Sequence, residues 1–182
     1  TLATVVGHFD VLGAIEVMDE SGMKKVKEYL PESWSYGISE KSVGTKKYKE
    51  YFGYFYNSNS VTVEPLGFYP NISNEFIRPP YGIKITSKSG YTFNLVICHL
   101  IFGESSAARI REASNLGRVY TYFEGRTGNT ATTIIAGDFN LESIKKFKSL
   151  TDLGLPEVSA MKKTTLGQVA ASNDYDHMFV GK

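Results

Sequence analysis

The stretch Thr133-Ile134-Ile135-Ala136-Gly137-Asp138-Phe139-Asn140 carries the strongest indication of fold and chemistry in this chain. Its apolar and β-branched start predicts a buried strand, after which a glycine precedes an acid and an amide two residues apart. Because side chains alternate along an extended chain, we expect Asp138 and Asn140 on one side and Phe139 in the core. The carboxylate and carbonyl oxygens of these two side chains suit a hard cation such as Mg²⁺, and the Asn140 amide can donate to a phosphate. Taken alone, the segment is equally compatible with an ordinary turn, where Asp and Asn are common.

Three further polar residues lie within or beside apolar runs. Glu16 lies inside one run, His99 ends another, and Asp176 precedes the last strand-like segment. A buried carboxylate needs a cation or a hydrogen-bond partner, so Glu16 is a candidate metal ligand; a solvent-facing glutamate at a strand end is the alternative. A lone histidine after a strand is more often structural than catalytic, and a hydrated strand end explains Asp176 equally well. Their shared position at strand ends is the reason to consider them together.

Bulk composition restricts the class of protein. The chain has 182 residues, 42% hydrophobic and 21% charged, which is typical of one soluble globular domain, secreted or cytoplasmic. A net charge of +1 argues against a purely electrostatic DNA binder but permits a nuclease with a local basic rim. The single cysteine, Cys98, excludes an internal disulfide framework. Apolar runs such as Leu95–Cys98 are too short to span a bilayer, so no membrane partner is expected.

The pattern of apolar residues and turn residues predicts strands interleaved with helices. Hairpins packed against helices favour an α/β (α+β) sandwich of two mainly antiparallel sheets. The predicted strands are Val11–Val17, a hairpin of Tyr51–Tyr56 with Val61–Glu64, a hairpin of Tyr81–Ser87 with Tyr91–Cys98, Thr132–Ala136 and Tyr175–Val180. The predicted helices are Glu20–Leu30, Ser105–Phe123 and Leu141–Leu150.

Taken in order, five segments resemble the endonuclease/exonuclease/phosphatase superfamily, and they span nearly the whole chain. They are Ile15-Glu16-Val17, Tyr48-Lys49-Glu50-Tyr51, Cys98-His99-Leu100, Gly137-Asp138-Phe139-Asn140 and Tyr175-Asp176-His177. Gly-Asp-Phe-Asn is the most specific of them. The Tyr-Lys-Glu-Tyr segment is similar to the DNase I branch rather than to the sphingomyelinase or inositol-phosphatase branches. The resemblance implies a four-layer sandwich with its active site at one end of the two sheets.

The resemblance implies a catalytic set of His99, Glu50, Asp138, Asn140 and Asp176, with Glu16 and Asp138 as the metal ligands. Glu16 matches the metal-binding glutamate of the family. Asp138 and Asn140 match the pair that holds the metal, the scissile phosphate and the attacking water. His99 matches a catalytic histidine, and Glu50 matches the glutamate that orients it. A histidine paired with a carboxylate is a stronger base with a defined tautomer, which suits phosphodiester hydrolysis.

The resemblance also implies substrate contacts and a cofactor. Asp176 matches an aspartate that positions a second histidine, Arg78 matches a phosphate-contacting arginine, and Tyr48 matches a tyrosine that reaches the DNA backbone. Basic residues of the loops Lys41–Lys49 and Gly125–Thr130 are further phosphate binders or, as we prefer for most of them, solvated surface. The expected cofactor is Mg²⁺, with Mn²⁺ as a substitute and accessory Ca²⁺ undecided.

Two elements of the family pattern are missing from the sequence. The family begins with a strand that ends in an asparagine, and it ends with Ser-Asp-His on a last strand; neither is present. We therefore expect residues 1–182 to form a single DNase I-like domain that lacks the first and last strands, as a piece of a longer protein would. Of the other histidines, His8 is expected in a surface loop and His177 is expected to be a variable neighbour of Asp176.

Three functions follow from these observations. The first is a Mg²⁺-dependent, DNase I-like endonuclease that hydrolyses DNA with low sequence specificity. The second is a phosphatase or lipid phosphodiesterase of the same superfamily, because one scaffold hosts many phosphoesterases. The third is a non-catalytic binding relative.

Overall fold

The computed structural model describes residues 1–103, 105–142, 146–159, 163–166 and 171–181. The helices are α1 (Leu2–Val6), α2 (Glu20–Glu28), α3 (Ser106–Ala113), α4 (Leu116–Arg126) and α5 (Lys148–Thr151). The strands are β1 (Val11–Val17), β2 (Trp34–Ile38), β3 (Val43–Gly44), β4 (Lys49–Asn57), β5 (Val61–Phe68), β6 (Tyr81–Ser87), β7 (Thr92–His99), β8 (Thr132–Asp138), β9 (Thr165–Leu166), β10 (Ala171–Asn173) and β11 (Asp176–Val180).

The long strands form two sheets. The first sheet has the order β1-β4-β2, with β3 also paired to β4, and all of its pairs are antiparallel. The second sheet has the order β11-β8-β7-β6-β5. Its only parallel pair among the described strands is β7 with β8, which α3 and α4 connect as a crossover. The short strands β9 and β10 pair with each other.

Three buried clusters show that the molecule has four layers. Val6, Met23 and Trp34 lie where α1 and α2 cover the first sheet. A second cluster, which includes Phe52 and Ile83, fills the space between the sheets. The third cluster lies between the second sheet and α3 to α5, and it includes Cys98, Leu116, Val119, Phe123, Ile135, Phe139 and Phe179. The predicted four-layer sandwich of two mainly antiparallel sheets is therefore confirmed.

Several predicted elements match the structure closely. The strand Val11–Val17 has the predicted bounds, and β6 pairs with β7 in the predicted hairpin, which turns through Gly90 at φ 87°. Helix α2 begins after Asp19, whose carboxylate accepts hydrogen bonds from the Ser21 and Gly22 amides. It ends at Glu28, two residues before the predicted end. The final strand starts at Asp176, one residue later than predicted.

The predicted hairpin between Tyr51–Tyr56 and Val61–Glu64 is wrong. Both segments are strands, but β4 pairs with β1, β2 and β3, whereas β5 pairs only with β6 among the described strands. The connection between them therefore crosses from one sheet to the other. Alternating apolar residues predict a strand and its buried face, but they do not predict which sheet that strand joins.

The predicted helix Ser105–Phe123 is two helices, α3 and α4. The chain leaves the helix at Ser114 and Asn115, whose side chains both donate to the Arg111 carbonyl. Serine and asparagine compete for backbone groups in this way, and this weakens a helix interior. Of the predicted helix Leu141–Leu150, residues 143–145 lie outside the described residues. Lys146 has a 3₁₀ conformation, and the α-helix α5 begins at Lys148. The sequence interpretation missed α1, β2 and β3.

No helix among the described residues is long and apolar enough to cross a membrane.

Candidate active site and metal centre

The Gly137-Asp138-Phe139-Asn140 segment turns sharply at the end of β8. Gly137 has φ 143°, and a Cβ there would overlap the Cys98 carbonyl oxygen on β7, so only glycine fits. Phe139 is fully buried, as predicted. Asn140 adopts a left-handed φ of 50°, which asparagine tolerates well. Its backbone N–H donates to Asp138 Oδ1 (2.8 Å) and its side-chain amide donates to the Leu100 carbonyl (2.8 Å). The two polar residues of the segment therefore hold the turn together.

Three of the sequence-predicted residues lie side by side across the second sheet. His99 on β7 is paired in register with Asp138 on β8, and Asp138 is paired with Asp176 on β11. Paired residues on neighbouring strands project from the same face of a sheet. Ile97 belongs to the cluster between the sheets and Cys98 to the helix side, so alternation turns His99 towards the first sheet. The sheet thus aligns an imidazole and two carboxylates at one end of the sandwich.

His99 and Glu50 meet across the two sheets. Glu50 lies on β4 and is fully buried, and its Oε1 is 2.6 Å from His99 Nδ1. An ionised Glu50 accepts a hydrogen bond from Nδ1–H, and this leaves Nε2 free to take a proton from another group. Glu50 Oε2 is buried and has no hydrogen-bond partner among the described residues. A buried, unpartnered carboxylate oxygen is costly, and this indicates a group that the protein alone does not supply.

Glu16 reaches the same place from β1 through an irregular backbone. The register between β1 and β4 shifts between Ala14 and Val17, and Glu16 has φ 57° in this bulge. A left-handed non-glycine residue stores roughly 1–3 kcal/mol of strain, and such bulges re-aim side chains beside functional sites. Glu16 is exposed rather than buried, but its carboxylate lies within 4.8 Å of ligand atoms of Glu50 and His99.

The donor set fits a divalent cation. Burial raises the pKa of Asp138; the Asn140 hydrogen bond and His99 oppose this shift, while the nearby Asp176 and Glu16 carboxylates reinforce it. Acidic side chains gathered at this density repel one another unless a cation compensates their charge. Carboxylate oxygens suit Mg²⁺ and Mn²⁺. Of the two predicted metal ligands, Glu16 belongs to the group with Glu50 and His99 whose ligand atoms lie within 4.8 Å of one another. Asp138 lies outside that group, beside His99 in the second sheet. The unpartnered oxygen of Glu50 adds a further donor.

Arg78 and Tyr48, the predicted substrate contacts, also lie at this end. Arg78 is buried; its Nε donates to the His99 carbonyl (3.0 Å) and its Nη2 to the Leu100 carbonyl (2.9 Å). Much of this guanidinium therefore supports the backbone around His99. Tyr48 is 42% exposed. Burial raises the pKa of its hydroxyl, and the carboxylates of Glu16 and Glu50 add to this shift.

The two basic loops differ in position. The segment before β4 carries Tyr48 and borders the site. The loop Gly125–Thr130 precedes Thr132, where β8 begins, while Asp138 ends the same strand. Asp138 is six residues after Thr132, which corresponds to about 20 Å along a strand, so the structure does not bring this loop to the candidate site. An apolar cavity of about 370 Å³ opens between the sheets beside Asp138 and Asp176, and its walls include Ile15, Ile97 and Met178.

Sequence reasoning missed Glu112, which lies within the predicted helix Ser105–Phe123. Glu112 is buried, and its two oxygens accept the backbone N–H groups of Ile77 and Ile101, both at 2.6 Å. Burial raises the pKa of Glu112, and the two hydrogen bonds oppose that shift. Ile77 directly precedes Arg78, and Ile101 is two residues after His99. Spacing offered a signal, because Glu112 is four and seven residues before the buried Leu116 and Val119.

Sequence reasoning also missed His177. Far from being a variable neighbour, it is buried, with Nδ1 2.5 Å from Glu157 Oε1 and Nε2 donating to the Leu141 carbonyl (2.6 Å). It packs against the rings of Phe139 and Phe147. Strand alternation was the available signal, because it turns His177 to the face opposite Asp176. His8 is exposed, as predicted.

We expect His177→Phe to destabilise the fold by about 1–3 kcal/mol, measured by urea unfolding. The new ring keeps the aromatic packing, but the Leu141 carbonyl loses its donor. His8→Phe changes an exposed histidine and should alter the free energy of unfolding by no more than about 0.5 kcal/mol. A His177→Phe protein as stable as the wild type would show that these two hydrogen bonds do not stabilise the fold.

Comparison with known proteins places the fold. The sequence matches no family model and no curated protein. The structure is similar to an endonuclease/exonuclease/phosphatase family protein from Bacteroides thetaiotaomicron (TM-score 0.73, 20% identity, 99% of this chain and 72% of that one). It is also similar to a mannosyl-6-phosphatase of B. thetaiotaomicron VPI-5482 (TM-score 0.73, 20% identity, 99% of this chain and 74% of that one). A third similar structure is D. rerio TDP2 complexed with a single-strand DNA product (TM-score 0.65, 15% identity, 100% of this chain and 75% of that one).

At these identities the likeness concerns the fold alone, and it agrees with the four layers. The chain therefore has the DNase I-like fold of the endonuclease/exonuclease/phosphatase proteins.

Proposed function

We propose that this chain is the catalytic part of a divalent-metal-dependent phosphoester hydrolase, and specifically of a DNase I-like phosphodiesterase that cuts DNA with low sequence preference. The observation that carries the proposal is the buried His99–Glu50 pair beside the row of Asp138 and Asp176. A structural histidine would not require an unpartnered buried carboxylate oxygen and three further acidic side chains nearby.

His99 acts as the general acid–base in this proposal. Glu50 holds the proton on Nδ1, so Nε2 can accept a proton from water or return one to the leaving oxygen. The Glu50 carboxylate also stabilises the imidazolium while it carries the extra proton. Arg78 fixes the backbone of His99 and Leu100, and it adds positive charge to the site. General acid–base help of this kind accelerates a reaction by about 10²- to 10⁴-fold.

The acidic residues and Asn140 have a different task. Glu16 and Asp138 would hold the divalent cation, which supplies positive charge for the phosphoryl oxygens as negative charge develops on them. Asn140 keeps the Asp138 carboxylate in place through its backbone N–H. Asp176 lies in register with Asp138 and is exposed at the mouth of the site, where it can orient a water molecule or a substrate hydroxyl.

Two observations bear on the substrate. A DNA phosphodiester is supported by the exposed Tyr48 ring, which directly precedes the strand that carries Glu50, and by the similarity to TDP2 with a DNA product. A phosphomonoester is the second candidate, and it is supported by the similarity to a mannosyl-6-phosphatase, whose TM-score of 0.73 exceeds the 0.65 of TDP2.

The test is plasmid nicking by the full-length protein that carries this chain, with Mg²⁺ or Mn²⁺ and with EDTA. We expect nicking that EDTA abolishes and that Asp138→Ala and His99→Ala each reduce by at least about 10²-fold, whereas His8→Ala has no effect. Retained nicking in both site variants would contradict the site assignment. Release of phosphate from a sugar phosphate without nicking would favour the phosphatase. Calorimetry without Mg²⁺ or Mn²⁺ binding, together with no hydrolysis, would favour a non-catalytic relative.

A further inference from the structure

An exposed aromatic ring and an arginine form a stack at the rim of the candidate site. Phe102 follows His99 by three residues and is 59% exposed. The guanidinium carbon of Arg109, on α3, lies 4.8 Å from the centre of the Phe102 ring. Neither residue takes part in the proposed acid–base chemistry or in metal binding. Their position beside the site is therefore not accounted for by the proposed chemistry.

Arg109 connects the stack to the Asp138–Asn140 turn by a hydrogen bond. Arg109 Nη1 donates to the Asn140 carbonyl at 2.9 Å, and its Nε is buried without a hydrogen-bond partner among the described residues. The hydrogen bond to the Asn140 carbonyl links the guanidinium to the turn. Because Arg109 covers one face of the ring and most of Phe102 is exposed, the opposite face is open to a ligand.

The chemistry of the stack indicates a flat group joined to an anion. An exposed ring backed by a cation favours stacking with an unsaturated ring system, and a nucleobase presents such a face whatever its identity. Within the described residues, Arg109 makes no salt bridge, and its guanidinium supplies positive charge of the kind that binds a phosphate. A sugar phosphate would satisfy the arginine but would offer no aromatic face to Phe102.

We propose that Phe102 and Arg109 form a nucleotide subsite that stacks an unpaired base next to the scissile phosphate. The inference deepens the proposed function, on which its catalytic context rests, by naming single-stranded or frayed nucleic acid as the preferred substrate. In an intact duplex the faces of an internal base are already stacked, so only an unpaired base can use the ring. Stacking tolerates any base, which agrees with low sequence preference.

The test compares two single-stranded oligomers that have the same phosphates, one of thymidylate and one of abasic deoxyribose units. Binding to the full-length protein is measured by fluorescence anisotropy in EDTA, so that catalysis plays no part. We expect the wild type to prefer oligothymidylate, and Phe102→Ala to lower this preference about 5- to 150-fold. Phe102→Tyr keeps a ring and should retain most of the preference. Tyr29→Ala removes another exposed ring, on the α2 side of the molecule, and should leave it unchanged.

The outcomes separate the subsite from the proposed function. A wild type without preference for oligothymidylate, or a Phe102→Ala protein that keeps the preference, would overturn the subsite. Hydrolysis of both oligomers in Mg²⁺ is measured separately and depends on His99 under the proposed function. Base-dependent binding without hydrolysis would support the subsite and contradict the catalytic proposal, whereas hydrolysis without base-dependent binding would do the reverse.

Discussion

Replacing His99 by alanine is expected to lower kcat for phosphodiester hydrolysis by about 10²- to 10⁴-fold, with a much smaller change in KM. The reason is geometric. His99 is the imidazole that the second sheet places beside Asp138, and Glu50 leaves its Nε2 free for proton transfer. The measurement is steady-state hydrolysis of an oligonucleotide at saturating Mg²⁺.

Glu50→Gln provides the matched comparison. The glutamine oxygen can still accept a hydrogen bond from Nδ1–H, but it lacks the charge that stabilises the imidazolium. We therefore expect a smaller loss of kcat than in His99→Ala and a pH–rate profile with an altered basic group. Because Glu50 acts through His99, Glu50→Gln should have little further effect in the His99→Ala protein. Two losses that multiply in the double variant would contradict this dependence.

Replacing Glu112 by alanine is expected to destabilise the fold by about 2–6 kcal/mol. The variant leaves the backbone N–H groups of Ile77 and Ile101 buried without their acceptor, and each such group costs about 1–3 kcal/mol. The measurement is the free energy of unfolding in urea. Glu112→Gln should cost less, because its amide oxygen can still accept one of the two N–H groups.

Arg111→Ala is the control for Glu112. Arg111 precedes Glu112 on α3 but is exposed, so its loss should change the free energy of unfolding by no more than about 0.5 kcal/mol. Since Glu112 holds the segments that lead to Arg78 and away from His99, Glu112→Gln should also lower kcat in protein that remains folded. A Glu112→Ala protein with wild-type stability would show that these two hydrogen bonds are replaced by water.

Local sequence patterns predicted most strands but not their partners. The bounds of β1 and the β6–β7 hairpin were predicted because alternation and turn residues act over a few neighbouring positions. The β4–β5 hairpin was wrong because the same patterns suit either sheet. The long helix was wrong because Ser114 and Asn115 bind the Arg111 carbonyl, and helical periodicity does not register such local competition.

The site residues were found from the sequence unevenly. Asp138 and His99 lie within two residues of the ends of predicted strands, and alternation correctly turned Phe139 into the core. Glu50 was recognised only by resemblance, since nothing in its own segment marks it as a histidine partner. Glu112 and His177 were overlooked because a charged or ionisable side chain is expected at the surface unless its buried partners are known.

The sequence by itself determined where polar groups end apolar strands, because strand periodicity is a local property of the chain. Only the tertiary structure decided what those groups meet. Glu50 and His99 are 49 residues apart and lie in different sheets, so their contact depends on how two layers pack. The same packing turned Arg78 towards backbone carbonyls and placed Arg109 behind Phe102. Such contacts are set by the stacking of layers, which the pattern of any single strand leaves open.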